Sequence, residues 1–369
     1  MKTASVVMTI MFLLTSITFA QGNPAAPPVK EVDLFLNKYD KQHIERTITQ
    51  FVKMRKVPGL SIAIANRGHI VFNKSYGLAN KRTKLTPSHR FRMPGASRLF
   101  TSTAIMTLLQ DGKLSLEDEI FGPTGILKEY RVDKYTAKIK VRHLLENTVG
   151  KPWAEFNNKL FGARSNRHPQ IIQYAITKNK LRKDPGKEYY ISKFGYYILA
   201  RVVEKISGKT YEAYIQEMTK DIFKTKVSVI KAVPPADEVS YLRNPNTGYF
   251  AHLDGYAGVI CAPSDFLRLM LAVDGNPVPE DILQTQVVKI MQTPSKVNAQ
   301  QSKGWYLFGS KRIDSTVDKF WMWENSYSAF SYCLTTMQDV SIVIAVNGGA
   351  HVNFRGLPAK ILGKIKDMP

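Results

Sequence analysis

The order of the periodic segments along the chain constrains its fold more than any other feature. Residues 60–65 and 70–75 have the composition of two strands, and the turn Asn66-Arg67-Gly68 between them is typical of a hairpin. Apolar residues then recur at helical spacing in the middle of the chain, for example over residues 97–110, and strand-like segments return at residues 305–308 and within residues 319–346. This order predicts an α+β fold, with an antiparallel sheet built from both ends of the chain and a helical region inserted between them.

The N-terminal residues have the pattern of a secretory signal. Lys2 precedes a mostly apolar run from Ala4 to Phe19, and Thr18-Phe19-Ala20 fits a cleavage site of small residues. We therefore predict a signal peptide over residues 1–20, cleaved near Ala20, and a secreted or periplasmic protein. The alternative is a membrane anchor, for which the apolar run is short.

The remaining chain divides into a linker and one large domain. Residues 21–35 are rich in Pro and Ala and predict the linker. Residues 36–369 predict the domain, with an α/β part at about 36–93 and 256–369 and a helical part at about 94–255. We expect no transmembrane segment after removal of the signal, because no later run of apolar residues is long enough.

The chain is strongly basic. It has 52 Lys and Arg residues against 30 Asp and Glu residues, a formal net charge of +22. This charge favours attraction to anionic polymers of the cell envelope, although a solvated surface without a partner accounts for it equally simply. We expect no nucleic-acid partner, because no recognisable binding module accompanies the charge.

The sequence gives little indication of bound metals or cofactors. The histidines have no metal-ligand spacing, and no Gly-rich phosphate loop is present, so we predict neither a metal nor a cofactor. Cys261 and Cys333 lie in apolar, strand-like contexts, which favours two buried thiols, while export would also permit a disulfide.

Short motifs in a consistent order carry a family resemblance. They are Val57-Pro58-Gly59-Leu60, Tyr76-Gly77-Leu78-Ala79, Val141-Arg142-His143-Leu144-Leu145, Pro185-Gly186, Ser207-Gly208-Lys209-Thr210-Tyr211 and Ala262-Pro263-Ser264-Asp265-Phe266. Each is weak alone, but together they make the chain resemble the serine β-lactamase and penicillin-binding-protein superfamily, nearest the class C β-lactamase-related serine hydrolases. The resemblance covers about residues 36–348 and implies a β-lactamase/transpeptidase-like fold.

The family's nucleophile motif is altered in this chain. The stretch Phe91-Arg92-Met93-Pro94-Gly95-Ala96-Ser97-Arg98-Leu99-Phe100-Thr101 is similar to the family's Phe-Arg-Ile-Gly-Ser-x-x-Lys-x-Phe-Thr. In that family the Ser attacks a carbonyl and the Lys, one helical turn later, manages its proton. Here the Ser position holds Gly95, which has no nucleophile, and the Lys position holds Arg98, which stays protonated and cannot act as a base.

The other two family motifs are also substituted. The resemblance places Tyr-x-Asn on Ile191-Ser192-Lys193, and Lys-Thr-Gly or His-x-Gly on Glu324-Asn325-Ser326. Ile191 cannot transfer a proton, and Tyr190 could replace it only if the loop shifted. Because nucleophile, base and relay act as a unit, the loss of all three predicts that the chain has no catalytic residues at these positions.

The substituted residues predict a binding cleft. Arg98 and Lys193 would face Glu324 and Ser326, and Arg98 would bind a carboxylate or phosphate in bidentate fashion. Gly95, at a helix N-terminus, would add amide groups that attract anions. The partner expected is a peptidoglycan fragment, a carboxylate ligand or an anionic cell-envelope polymer. An internal salt bridge from Arg98 or Lys193 to Glu324, plugging a dead site, uses the same residues and remains an alternative.

Two other functions remain open at this stage. The chain could be an active esterase or peptidase with a displaced nucleophile, for which Ser97, Ser192 and Ser326 are the candidates. Ser97 lies two residues beyond the nucleophile position, so on a helix it points away from the cleft, which favours a structural role. The chain could also be a basic module that binds the cell wall or another polyanion through its net charge.

Overall fold

The computed structural model of the chain describes residues 38–154, 167–229, 237–239, 253–305, 320–325, 329–335, 340–347, 357 and 360–361. The predicted signal peptide (1–20) and linker (21–35) lie outside these residues, and so does Ser326. None of the helices within the described ranges combines the length and the apolar character needed to cross a membrane.

The main sheet is built from both ends of the chain, as the sequence predicts. Its five strands lie in the order β2-β1-β8-β7-β6, and all neighbours are antiparallel. The strands are β1 (Gly59–Asn66), β2 (His69–Gly77), β6 (Phe320–Asn325), β7 (Ala329–Thr335) and β8 (Val340–Asn347). The Arg67-Gly68 turn of the β1–β2 hairpin has positive φ at both residues, which fits the predicted hairpin.

Strand β1 is buried along almost its whole length because both faces of the sheet are covered. Leu60, Ile62 and Ile64 lie in one apolar cluster with Ile44 and Ile48 of α1 (Lys38–Arg55). The alternate residues Ala63 and Ala65 lie in the larger cluster on the other face, where α9 (Pro263–Leu271) packs against β1 and β8. Successive side chains of a strand point to opposite faces of the sheet, so alternate residues of β1 enter different clusters.

The inserted region is helical, and α2 lies at its centre. The further helices are α2 (Ser97–Gln110), α3 (Val141–Leu145), α4 (Lys151–Ala154), α5 (His168–Lys178), α6 (Lys193–Ser207), α7 (Tyr211–Thr219), α8 (Asp254–Ala257) and α10 (Thr285–Gln292). Helices α6, α7, α8 and α10 pack around α2, so almost all of its residues are buried, as expected for a helix surrounded by protein. This packing fixes the N-terminus of α2 beside α8 and the beginning of α6.

Three short strands form a second sheet, of which the sequence indicated only the strand-like context around Cys261. They are β3 (Phe91–Arg92), β4 (Ser228–Val229) and β5 (Val259–Cys261), in the order β3-β5-β4. Strands of two or three residues are too short to show a periodic pattern. The sequence also placed a strand from Trp305, where the structure has none at that residue, and the helices α8 and α10 were missed. Cys261 is fully buried in β5.

Candidate functional site

Gly95 occupies a turn immediately before α2, in a conformation that explains the residue type. Its φ is +68°, in the left-handed region that glycine adopts without the cost a Cβ imposes. Its N–H donates to the carbonyl oxygen of Tyr256 at 3.0 Å, which ties the turn to α8. The position therefore offers no side chain and has a backbone that disfavours one.

The backbone N–H groups at the start of α2 already donate hydrogen bonds within the protein, whereas the sequence predicted that they would attract an anion. The N–H groups of Ala96, Ser97 and Arg98 donate to the carbonyl oxygens of Pro94, Met93 and Gly95 at 2.8, 2.8 and 3.2 Å. With Gly95 N–H bonded to Tyr256, the expectation of amides open to a ligand is wrong, because the turn preceding α2 already accepts their hydrogen bonds.

Arg98 is buried between aromatic rings. The residue is only 5% exposed, and its Nε donates to the carbonyl oxygen of Gly95 at 2.9 Å. Its guanidinium lies 5.8 Å from the ring centroid of Tyr196 and 5.7 Å from that of Tyr256. The predicted bidentate contact with a ligand would require Nε to leave this hydrogen bond, since little of the guanidinium faces solvent, and it stays a prediction. Arg98 supplies positive charge from beneath the surface.

Tyr196 supports Arg98 without being a base. It is fully buried, and its hydroxyl donates to the carbonyl oxygen of Leu145 at 3.0 Å. Burial raises the pKa of Tyr196 above its usual value, and the nearby Arg98 charge only partly opposes this. The phenol therefore stays protonated at neutral pH and cannot replace the missing lysine base.

Lys193 brings a second cation to Tyr256. It is exposed at the first position of α6, and its Nζ lies 5.7 Å from the centroid of the Tyr256 ring. The structure thus brings together Arg98 and Lys193, which the sequence placed in one cleft, against one aromatic ring. Beside them Ile191 is 45% exposed and carries no group that could transfer a proton.

The loop before α6 is held by Asn147 in the register that the motif alignment assumes. The N–H of Tyr190 donates to the backbone carbonyl oxygen of Asn147 at 2.9 Å, and the N–H of Ser192 donates to its side-chain oxygen at 3.0 Å. A loop shift that moved Tyr190 to the position of Ile191 would break both bonds.

Two candidate serine nucleophiles have structural roles. The hydroxyl of Ser97 donates to the carbonyl oxygen of Met93 at 2.6 Å and accepts the N–H of Val259 at 3.0 Å, joining α2 to β5. The hydroxyl of Ser192 donates to the carbonyl oxygen of Trp153 at 3.1 Å and accepts the N–H of Gly195 at 2.9 Å as the N-cap of α6. Both serines are buried, so neither hydroxyl is open to a substrate.

The third motif can be placed only by its backbone. Glu324 lies in β6 and pairs with Ser331 of β7. The side chain of Glu324 and the whole of Ser326 lie outside the described residues. Their predicted roles in the cleft, including the salt bridge from Glu324 to Arg98 or Lys193, therefore stay predictions.

A buried ion pair between Lys303 and Glu146 was missed from the sequence. The Nζ of Lys303 lies 3.0 Å from Oε1 of Glu146, and the two side chains are 7% and 13% exposed. The adjacent Gly304 has φ +99° and packs so closely on α2 that a Cβ would lie 2.5 Å from Ser102 Oγ. A lone lysine before a glycine gives no signal of such a partner, because the pairing depends on the tertiary fold.

The charged groups of the described ranges do not include a metal-binding cluster. No three His, Cys, Asp or Glu side chains among these residues converge as metal ligands would.

Comparison with known proteins relates this architecture to a family. A family model described as Beta-lactamase matches residues 44–357. The "Protein flp" of Staphylococcus aureus (strain N315) is 27% identical over 183 residues, which is 49% of this chain and 36% of that protein. The "Putative D-alanyl-D-alanine carboxypeptidase" of Escherichia coli O157:H7 is 22% identical over 307 residues, 70% of each chain.

A solved structure shows the same fold. The D-amino acid amidase from Ochrobactrum anthropi SV3, complexed with L-phenylalanine amide, superposes with a TM-score of 0.72. The two chains are 19% identical, and the superposition covers 89% of this chain and 99% of that one. At this identity the likeness concerns the fold alone.

Proposed function

The chain belongs to the beta-lactamase family, and we propose that it is a homologue without acyl-transfer activity that binds an anionic ligand at the mouth of the former active site. The observation that carries the proposal is the replacement of nucleophile and base by Gly95 and Arg98, with the Arg98 side chain bonded back to the Gly95 carbonyl oxygen. An acyl-enzyme needs an oxygen or sulfur nucleophile and a group that accepts its proton, and these two positions supply neither.

The described serines support this proposal over a displaced nucleophile. Ser97 and Ser192 are buried and donate their hydroxyl protons to backbone carbonyls, so neither could attack a substrate without leaving a structural hydrogen bond unmade. Ser326 lies outside the described residues and is the remaining candidate of the alternative. A fluorophosphonate probe tests it, because labelling that disappears in Ser326→Ala would favour the hydrolase.

The proposed binding site centres on Lys193 and Tyr256. Lys193 is exposed over the Tyr256 ring, and the buried Arg98 lies against the same ring. A carboxylate at Lys193 would gain a direct charge-assisted hydrogen bond and additional attraction from Arg98 beneath, where low polarity strengthens the field. The alternative, in which Glu324 pairs with these cations and closes the site, would prevent this binding.

The class of ligand proposed is a cell-wall peptide that ends in a D-amino acid carboxylate. One matched relative is named a D-alanyl-D-alanine carboxypeptidase and a structural neighbour is a D-amino acid amidase, so ligands of this type fit the ancestry of the fold. The proposed signal peptide at residues 1–20 would bring the protein to the compartment that holds such peptides.

Two measurements test the proposal. After incubation with a fluorescent penicillin, intact-mass analysis is expected to show the unmodified protein, and a covalent adduct would overturn the loss of acyl transfer. In calorimetric titration, a tripeptide ending in D-alanyl-D-alanine is expected to bind, and its C-terminal amide to bind much more weakly. Equal binding of the acid and the amide would refute carboxylate recognition.

A matched pair of variants locates the binding. Lys193→Gln is expected to weaken binding of the free-acid tripeptide by about tenfold, the value of one charged hydrogen bond. Lys187→Gln removes an exposed lysine from the preceding loop and makes the same change in net charge, so it is expected to leave the affinity unchanged. Equal losses in both variants would show attraction by net charge alone.

A further inference from the structure

A cavity lies on the helical region, and one of its lining residues, Tyr190, directly precedes Ile191 of the second motif. It has a volume of about 530 Å³ and is formed by residues 149–152 and 178–183 together with Glu188 and Tyr190. Its volume is within the range of pockets that enclose small ligands. It shares no lining residue with the site formed by Arg98, Lys193 and Tyr256.

The lining of this cavity is rich in positive charge. Five of its residues are cationic and one is acidic: Lys151, Lys178, Lys180, Arg182 and Lys183, with Glu188. Glu188 forms an exposed ion pair with Lys183. Within the described ranges, no carboxylate lies within ion-pairing distance of Lys180 or Arg182, although both line the same cavity. Cations gathered without counter-charges repel one another, and an anion bound among them removes that repulsion.

Hydrogen bonds and a buried leucine hold the loop of residues 178–183 in place. Asn179 ends α5, and both its N–H and its side-chain amide donate to the carbonyl oxygen of Ala175, at 2.9 and 3.0 Å. Leu181, between Lys180 and Arg182, is buried in the main apolar core. The alternation of a buried Leu181 with exposed Lys180 and Arg182 fixes the side of the loop on which the charges lie.

We propose that this cavity binds an anionic oligosaccharide. Lys180 and Arg182 would bind its phosphate, sulfate or carboxylate groups, and Arg182 can form the bidentate contact that planar anions favour. Tyr190 lines the same cavity and is 36% exposed, so a sugar ring can pack on its face. The cations provide affinity for the charge, and the aromatic ring distinguishes a saccharide from a simple polyanion.

Binding of three probes tests the inference. A fluorescent heparin-derived tetrasaccharide supplies sugar and charge, inorganic triphosphate supplies charge alone, and a neutral dextran fragment supplies sugar alone. Fluorescence anisotropy is expected to show binding of the labelled tetrasaccharide that weakens as salt is raised, and triphosphate is expected to displace it with lower affinity. Dextran is expected not to compete. Absence of tetrasaccharide binding at low salt would overturn the proposal.

Two double variants distinguish the cavity from the overall charge of the protein. Lys180→Gln with Arg182→Gln is expected to weaken tetrasaccharide binding by about tenfold or more. Lys53→Gln with Lys289→Gln removes the same charge from exposed positions on α1 and α10 and is expected to change it less than about twofold. Equal losses in the two double variants would refute a specific site.

Tyr190→Leu tests the role of the aromatic ring. It is expected to weaken tetrasaccharide binding while leaving triphosphate binding unchanged, and equal weakening of both would refute the stacking role.

The proposed function and this inference can fail separately. The first is measured with a carboxylate peptide and Lys193→Gln, and the second with a charged saccharide and the variants of the cavity. Because the two sets of residues do not overlap, neither result decides the other.

Discussion

The Nε of Arg98 donates a hydrogen bond to the carbonyl oxygen of Gly95 at 2.9 Å, so the two substituted positions of the nucleophile motif are bonded to each other. The residue at the base position stabilises the turn that the residue at the nucleophile position forms. Because the acceptor is a backbone carbonyl oxygen, replacing Arg98 would remove this hydrogen bond, whereas a serine at position 95 would keep the acceptor.

Gly95→Ser is expected to destabilise the protein without restoring acylation. A serine at φ +68° costs about 1–2 kcal/mol in the free energy of unfolding, and Arg98 still cannot accept the hydroxyl proton. Urea denaturation measures the first effect, and intact-mass analysis after incubation with penicillin measures the second.

Gly112→Ser is the matched control, since Gly112 also has φ +68° and a Cβ there would meet no atom within 4 Å. It isolates the cost of the backbone conformation. We expect Gly95→Ser to lose at least as much stability as Gly112→Ser, and a smaller loss would contradict the turn described for Gly95.

Ser97→Ala is expected to lower stability by about 1–3 kcal/mol, because the buried N–H of Val259 loses its acceptor. Labelling by a fluorophosphonate is expected to be the same in this variant and in the wild type. Loss of labelling with unchanged stability would instead identify Ser97 as a nucleophile.

Helices and strands long enough for their apolar pattern to repeat several times could be predicted from the sequence. The helix predicted over residues 97–110 is observed as Ser97–Gln110, because its apolar pattern runs into Gly112, whose positive φ ends the helix. The prediction that both ends of the chain build one antiparallel sheet is also confirmed, since β1 and β2 near one end pair with β8 near the other.

The surroundings of Arg98 could not be obtained in the same way. Tyr196 belongs to α6, and Tyr256 belongs to α8, a helix of four residues that no periodicity can reveal. The sequence shows that position 98 carries a charge, but its burial and its bond to Gly95 depend on how α2, α6 and α8 pack.

His143 is expected to make the protein less stable in acid. Burial, with a contribution from the nearby Arg142 charge, lowers the pKa of His143 from 6.5 to about 4. Its Nδ1 accepts the N–H of Lys140 at 3.1 Å, a bond that protonation removes. Because the unfolded chain takes up the proton first, stability is full above pH 6.5 and falls by about 3 kcal/mol as the pH is lowered to about 4.

His143→Asn tests this by removing the titration while keeping an acceptor near Lys140 N–H. The free energy of unfolding, measured in urea between pH 7 and pH 4.5, is expected to change less with pH in this variant than in the wild type. His69→Gln, at an exposed histidine, is the control and is expected to keep the wild-type slope. An unchanged slope in His143→Asn would contradict the lowered pKa.

Lys303→Met is expected to be among the most destabilising substitutions of a charged residue in the described part of the chain. It leaves Glu146, 13% exposed, without its partner at 3.0 Å, and an uncompensated buried charge costs about 3–5 kcal/mol. Glu146→Gln combined with Lys303→Met should recover part of that loss, because the remaining amide carries no charge.

Lys138→Met is the control: it breaks the exposed pair with Asp184 and should leave stability nearly unchanged. If urea denaturation gave similar losses for Lys303→Met and Lys138→Met, the pair of Lys303 and Glu146 would not be buried as described.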